Sequence, residues 1–303
     1  MLRTQTGLLS GHGCDSDGPF LSIDERGGKS WQRQRVRPVG QALSLRALPA
    51  RHCTGRYDLS TARSEPCPLR RALDAGYSQC PECMRATGFN PAFYNADSIS
   101  PQQQRHNATP HLVYLANFGL GLLKVGITHE RRGVRRLLEQ GTRMGVILAR
   151  FDDAYGARGL EAQVVQEFGV AETVRAARKR KQLAAPFRPE VAEQELLRMV
   201  ERIAEVRSDV DPAPTTLAFD GRYGSIALSS LSAVDLSEPD DDGVVAISGD
   251  CVAMVGDVLV VQGRGAQAAE RFMCSVGALE GCAIELGDDV RQNRVSGQMA
   301  LQF

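Results

Sequence analysis

Lysine is nearly missing from this chain: four lysines stand against 32 arginines among 303 residues. Biased codon usage accounts for that preference as readily as function does, so it carries no argument alone. Charge of one sign is missing too. The 36 basic and 36 acidic residues cancel, and the chain as a whole is no polycation matched to a polyanion. Nowhere do 18 apolar residues run together, which excludes a membrane-crossing helix, and no membrane partner is expected. The opening MLRTQTGLLSGHG is too polar for a secretory leader, so a cytoplasmic location is expected. Eight cysteines are too few for a disulfide scaffold. The glycines of GRGAQAAERF are followed by neither GxGxxG nor a P-loop lysine, which excludes nucleotide binding there. The acidic SEPDDDG lacks the spaced ligands and glutamate of an EF-hand loop.

The charge that is present is unevenly spread. Between Arg105 and Gln182 there are 14 Lys plus Arg against 7 Asp plus Glu, a net +7; between Asp209 and Phe303 there are 5 against 15, a net −10. Such asymmetry points the central segment, and not the C-terminal one, toward phosphate. Its sharpest patch is RAARKRK, in which Arg175, Arg178, Lys179, Arg180 and Lys181 are candidate nucleic-acid contacts. A solvated helix face explains such a run equally well.

The punctuation of the chain divides it further. Residues 1–50 form an N-terminal β-rich segment, with SLRAL a candidate strand. Residues 51–94 hold a cysteine module, and 95–110, polar and carrying two prolines, read as a linker. A compact domain is expected over 111–182. Val191, Leu196, Leu197, Val200, Ile203 and Ala204 then mark an amphipathic helix within 183–208. Short strands separated by Gly and Asp turns, TTLAF, SIALS, GVVAIS, DCVAMVG and DVLVVQG, make 215–303 an acidic β-rich domain with no catalytic constellation. The fold class expected is α+β.

Cys80 and Cys83 form a CxxC knuckle whose short turn converges two thiolates on one ion, and Cys53 and Cys67 complete a tetrahedral set. Four thiolates leave no open position, so the expected cofactor is structural zinc, with His52 as a substitute ligand. Redox chemistry at the CxxC is the main rival, but it usually accompanies a thioredoxin-like strand and helix pattern that is missing here. Iron-sulfur ligation remains open. Cys14, Cys251, Cys274 and Cys282 have no metal-like spacing, and Cys251 reads as a small core residue.

From His111 to Phe168 the stretches HLVYLANF, KVGIT, RRLLEQGT and GLEAQVVQEF follow one another. The Gly119-Leu120-Gly121 turn reverses the chain, so that LVYLA and LLKVGIT pair antiparallel and set Tyr114 beside the Gly126 backbone. Arg136 follows on a helix and Glu161 opens another. Phosphodiester hydrolysis needs an oriented oxygen nucleophile, cationic neutralisation of the phosphoryl oxygens and help for the leaving oxygen. Tyr114 can orient water, the planar fork of Arg136 can grip a phosphate, and one glutamate suits a water-rich Mg²⁺. Thr128 and His129, just after the second strand, can add polar contacts. Each residue also has an ordinary structural explanation: a half-buried strand aromatic, close backbone packing, surface charge, a helix-dipole partner.

This block resembles the GIY-YIG nuclease superfamily over about 60 of the 303 residues. It is similar to the branches reading KVGIT, including a bacterial family that joins the block to an upstream cysteine cluster. The resemblance implies a small antiparallel sheet with helices. Its signature strands correspond to Leu112-Val113-Tyr114 and Lys124-Val125-Gly126, with Gly126 on the cofactor-binding side. It implies Arg136 as the catalytic arginine and Glu161 as the ligand of catalytic Mg or Mn. Lys124 stands where the best-studied nucleases carry a second tyrosine. The expected function is a Mg-dependent endonuclease or related phosphodiesterase acting on nucleic acid, with DNA as the expected partner. The alternative is a non-catalytic nucleic-acid-binding adaptor that keeps the fold.

Overall fold

In chain order the first strands are β1 (Gln5–Asp15), β2 (Gly18–Gly27), β3 (Ser30–Val36) and β4 (Ala42–His52). The computed structural model describes residues 5–28, 30–74, 76–225, 228, 231–289 and 291–294. The cysteine-bearing segment follows, with β5 (Arg56–Asp58), β6 (Arg63–Glu65), β7 (Ala72–Leu73) and helix α1 (Pro81–Thr87). Helix α2 (Pro101–Asn107) leads into β8 (His111–Asn117), β9 (Leu123–His129), α3 (Arg135–Glu139), β10 (Met144–Phe151), α4 (Ala154–Phe168), α5 (Ala176–Leu183) and α6 (Pro189–Ala204). The chain closes with β11 (Leu217–Ala218), β12 (Val234–Asp235), β13 (Val245–Val255), β14 (Val258–Gln262), β15 (Arg271–Ser275) and β16 (Cys282–Gly287). The protein is α+β, mostly sheet with several helices. Among the described residues no helix is long and apolar enough to cross a membrane.

Two sheets organise it. The larger runs β12-β15-β14-β13-β4-β16-β1-β2-β3, with β7 also on β4. The N-terminal segment and the acidic C-terminal segment, read from sequence as separate units, are therefore one layer: β4 lies between β13 and β16, and β16 pairs β1 from Gln5↔Leu286 to Leu8↔Ala283. TTLAF departs from its expected place as well. Its central residues form β11, which joins β10 of the smaller sheet. The GVVAIS and DCVAMVG strands are one continuous β13, while the expected SIALS strand includes residues 226, 227 and 229, which lie outside those described.

The smaller sheet runs β11-β10-β8-β9. One face packs Val113, Leu115 and Val125 against Leu160 and Val164 of α4 and Leu196 and Val200 of α6. The apolar spacing read over 183–208 thus buries Ala192, Leu196, Val200 and Ile203. The other face carries Tyr114 and Ala116 into a cluster with Leu137 and Leu138 of α3 and with Val258, Val260 and Met273 of the larger sheet. Tyr114 is thereby sandwiched between the two sheets. The stretch read as a linker contains α2: Ser100 Oγ caps it by accepting from the Gln103 N–H at 3.1 Å, and buried Gln103 holds both backbone groups of Asn90 at 2.8 and 2.6 Å.

Candidate functional site

The four cysteines meet at the junction of β4 and α1. Cys53 follows β4 directly, the β5–β6 hairpin returns the chain to Cys67, and Cys80 and Cys83 stand at and inside the first turn of α1, where Pro81 takes a position that needs no donor. All four are buried, and their sulfurs lie within 4.8 Å of one another. A tetrahedral zinc with sulfur at about 2.3 Å requires sulfur separations of about 3.8 Å, so the set fits such an ion. Burial pushes the Cys53 thiol above its ordinary pKa, and the backbone N–H groups of Gly55 and Cys80, which donate to its sulfur at 3.4 and 3.1 Å, partly offset this. A Cβ on Gly55, where φ is +103°, would stand 1.9 Å from the Glu65 carbonyl oxygen, so only glycine closes this knuckle. Four cysteines reach one point without His52, whose backbone is bound to Gly281.

A buried charge cluster ties this module to the larger sheet. Asp24, fully buried on β2, accepts two hydrogen bonds from Arg33, at 2.7 and 2.9 Å, and further bonds from Arg70 and Ser10. The same arginines donate onward to the Thr54 and Cys53 carbonyls, and Arg70 lies 4.4 Å over the Trp31 ring. A lone buried carboxylate would be costly, and here two guanidiniums neutralise it while fixing the backbone beside the first cysteine.

The second centre lies at the β8–β9 hairpin. The ladder sets Tyr114 opposite Gly126, and a Cβ on Gly126 would stand 2.5 Å from the Tyr114 hydroxyl and 3.0 Å from Lys124 Nζ. Glycine is what lets the phenol and the amine share that spot. Tyr114 is 1% exposed and accepts a hydrogen bond from Gln140 at 2.5 Å. Burial pushes the phenol above its ordinary pKa, with Arg136 and Gln140 pulling it back and Glu161 adding to the rise. Lys124 donates to the carbonyls of Glu172 at 2.6 Å and Val125 at 3.0 Å; burial lowers its pKa against the attraction of Glu161. Burial likewise lowers the Arg136 pKa, Arg132 adds to this, and Tyr114 opposes it. Glu161 stands in the middle of α4, two turns past the Asp153 cap, and not at its start as the sequence suggested, and it is 3% exposed. Burial raises its carboxyl pKa, while Arg158 holds the ionised form.

Tyr114, Lys124, Arg136 and Glu161 thus act on one another's charge from β8, β9, α3 and α4. His129 is not brought to them. It sits three ladder positions away, opposite His111, and both of its nitrogens are used: Nδ1 accepts from the Arg131 N–H at 3.0 Å and Nε2 meets Thr109 Oγ1 at 2.9 Å. Its ring instead packs with His106 and His111, at centroid distances of 4.9 and 5.3 Å. The basic run also divides. Arg175, Arg178 and Lys181 are exposed, but Lys179 turns inward over the Phe118 ring and donates to the Gln140 carbonyl at 2.9 Å, with burial pushing its pKa down to about 8. Arg180 pairs with Asp235 at 2.8 Å.

Reading residues singly missed Gln140, Arg158 and Glu172. Gln140 lies four positions after Arg136, and Arg158 three before Glu161, so helical spacing was the available signal for both. Glu172 lies beyond α4 with no local pattern to mark it.

Fold and site together define an α+β protein with a buried, metal-suited four-cysteine cluster. Residues 40–262, nearly three quarters of the chain, match the model of a family described as protein of unknown function, DUF2797, and the chain belongs to that family. No curated protein and no solved structure matches it.

Proposed function

We propose that this protein is a nucleic-acid phosphodiesterase of the GIY-YIG type, stapled by zinc at Cys53, Cys67, Cys80 and Cys83 and acting on DNA. One observation carries the reading: the Tyr114 hydroxyl and Lys124 Nζ converge over the Gly126 backbone from β8 and β9, with Arg136 of α3 and Glu161 of α4 near enough to act on their charge. The exposed Arg175, Arg178 and Lys181 hold the polynucleotide backbone. Arg136 presents its fork to the scissile phosphate and neutralises charge growing on the phosphoryl oxygens. Tyr114, kept protonated by burial, orients the attacking water as a hydrogen-bonding group. Lys124 supplies positive charge where the related nucleases have a phenol.

Glu161 and Glu172 offer hard oxygen donors of the kind that suits Mg²⁺ or Mn²⁺, and both now bind Arg158. Such an ion, when bound, would supply further charge neutralisation at the phosphate.

A second reading is the adaptor that binds nucleic acid without cutting it. The hydrogen bonds that Lys124 spends on two carbonyls, together with the 1% exposure of Tyr114, favour it. The test is cleavage of DNA and RNA panels with Mg²⁺ or Mn²⁺ by the wild type, Glu161→Gln and Arg136→Ala. The phosphodiesterase reading expects wild-type cleavage that both variants lose, with binding retained in Glu161→Gln. Binding without cleavage of any substrate hands the function to the adaptor.

A further inference from the structure

Glu161 is not free to meet a ligand, because Arg158 occupies it. One turn earlier on α4, Arg158 directs Nη1 to both the Glu161 carboxylate and Glu172 Oε1, the latter at 2.7 Å. Its Nη2 donates to the Tyr94 hydroxyl at 2.9 Å, and its guanidinium lies 4.3 Å from the Tyr94 ring centroid. Tyr94 belongs to the short 3-10 turn Phe93–Asn95, in the connection between α1 of the cysteine module and α2. The turn is seated by buried Phe93, whose ring meets Tyr155 of α4 edge-on at 5.1 Å, while Tyr94 itself is 42% exposed. Arg158 Nε is buried without a hydrogen-bond partner. The side chain is thus gripped at its tip, by two carboxylates on one side and an exposed tyrosine on the other.

We infer that Arg158 is a latch: a positioning residue that closes Glu161 to cations, and that releases it when the connection after the cysteine module draws Tyr94 away. This rests on Glu161 being the metal-suited carboxylate of the proposed phosphodiesterase. With Arg158 withdrawn, Glu161 and Glu172 remain as an oxygen pair that accepts a hard divalent cation. With Arg158 in place, the apparent affinity for that cation is reduced by the fraction of time the latch is open.

The probe is Mn²⁺, titrated into the full chain and followed by the loss of the free-ion paramagnetic signal. Arg158→Ala is expected to bind Mn²⁺ roughly tenfold more tightly than the wild type, as removal of a closed state populated about nine parts in ten requires. Tyr94→Ala is expected to show a smaller gain, and Arg158→Ala/Glu161→Gln none. Arg198→Ala removes an exposed positive charge from α6 and should leave Mn²⁺ binding unchanged, which separates unlatching from a general charge effect. Folded Arg158→Ala with wild-type Mn²⁺ affinity overturns the latch. If that variant does not fold, unchanged affinity in Tyr94→Ala overturns it. Tighter Mn²⁺ binding without cleavage in any variant removes the phosphodiesterase and leaves the latch standing. Wild-type cleavage with no gain in either variant does the reverse.

Discussion

The four-cysteine cluster and the Glu161 centre are both buried groups of metal-suited donors, yet they are stabilised differently. In the first, four sulfurs converge within 4.8 Å and the Cys53 sulfur is met by backbone N–H groups. In the second, the carboxylate is met by a guanidinium from its own helix. Burying charge demands a counter-charge, and the sequence supplies one internally at Glu161 but not among the thiols. The cysteine centre therefore suits permanent coordination, whereas the Glu161 carboxylate already has its counter-charge in Arg158, and an ion would enter there, on the proposed function, only in exchange for Arg158.

Breaking the cysteine side should have the largest effect. Cys80→Ser is expected to lose the metal and lower the melting temperature by about 10 °C or more, because coordination supplies folding free energy. Cys251→Ser, which changes only a small buried core group, should shift melting far less. Equal shifts in calorimetry would remove the distinction. Next comes the anchor between module and sheet. Asp24→Asn leaves Arg33 and Arg70 without their carboxylate and should cost about 3–5 kcal/mol by denaturant unfolding; a loss below about 1 kcal/mol would mean that the module does not depend on this contact.

On the other side of the comparison, Gly126→Ala forces a Cβ to within 2.5 Å of the Tyr114 hydroxyl. It should cost about 1–3 kcal/mol while leaving the metal content of the purified protein unchanged. The phosphate-binding part of the account is sharpened by salt titration. Replacing Arg175, Arg178 and Lys181 with glutamine should reduce the slope of log affinity against log salt by about 2–3, while Lys179→Gln, facing inward, should leave it unaltered.

The smallest effect expected is on pH dependence. Burial first, and then their mutual repulsion, lower the His106 pKa to about 4; burial also lowers those of His111 and His129. The groups facing them are Asp153 near His111 and Arg131 and Glu130 near His129, with the Leu59 backbone at His106. The folded state then binds fewer protons than the unfolded one. This stability is fully present above pH 6.5 and is lost as pH falls toward about 4. His106→Gln should flatten the melting temperature profile across that window, and an unaltered profile would contradict the assignment.

What was legible in the sequence was local. The glycine turn and apolar runs put Tyr114 and Gly126 on neighbouring strands, the CxxC knuckle announced the cysteine cluster, and the spacing from Val191 to Ile203 gave α6. What was not legible depended on distance along the chain. Nothing near Gln5 signals pairing with Leu286, so the two β-rich ends read as separate units. RAARKRK reads as a single outward-facing basic patch, whether for nucleic acid or for solvent, although α5 turns Lys179 and Arg180 toward Phe118 and Asp235. His129 looked like a candidate beside Thr128, and only the histidine cluster shows that its nitrogens are already used.

The contrast between the two centres is tested most directly by elemental analysis of the full chain, purified without added metal and passed through gel filtration. The account predicts about one zinc per chain and no retained magnesium or manganese, because thiolates hold their ion while Arg158 closes Glu161. Protein that carries no zinc, or that retains stoichiometric magnesium or manganese, would contradict it.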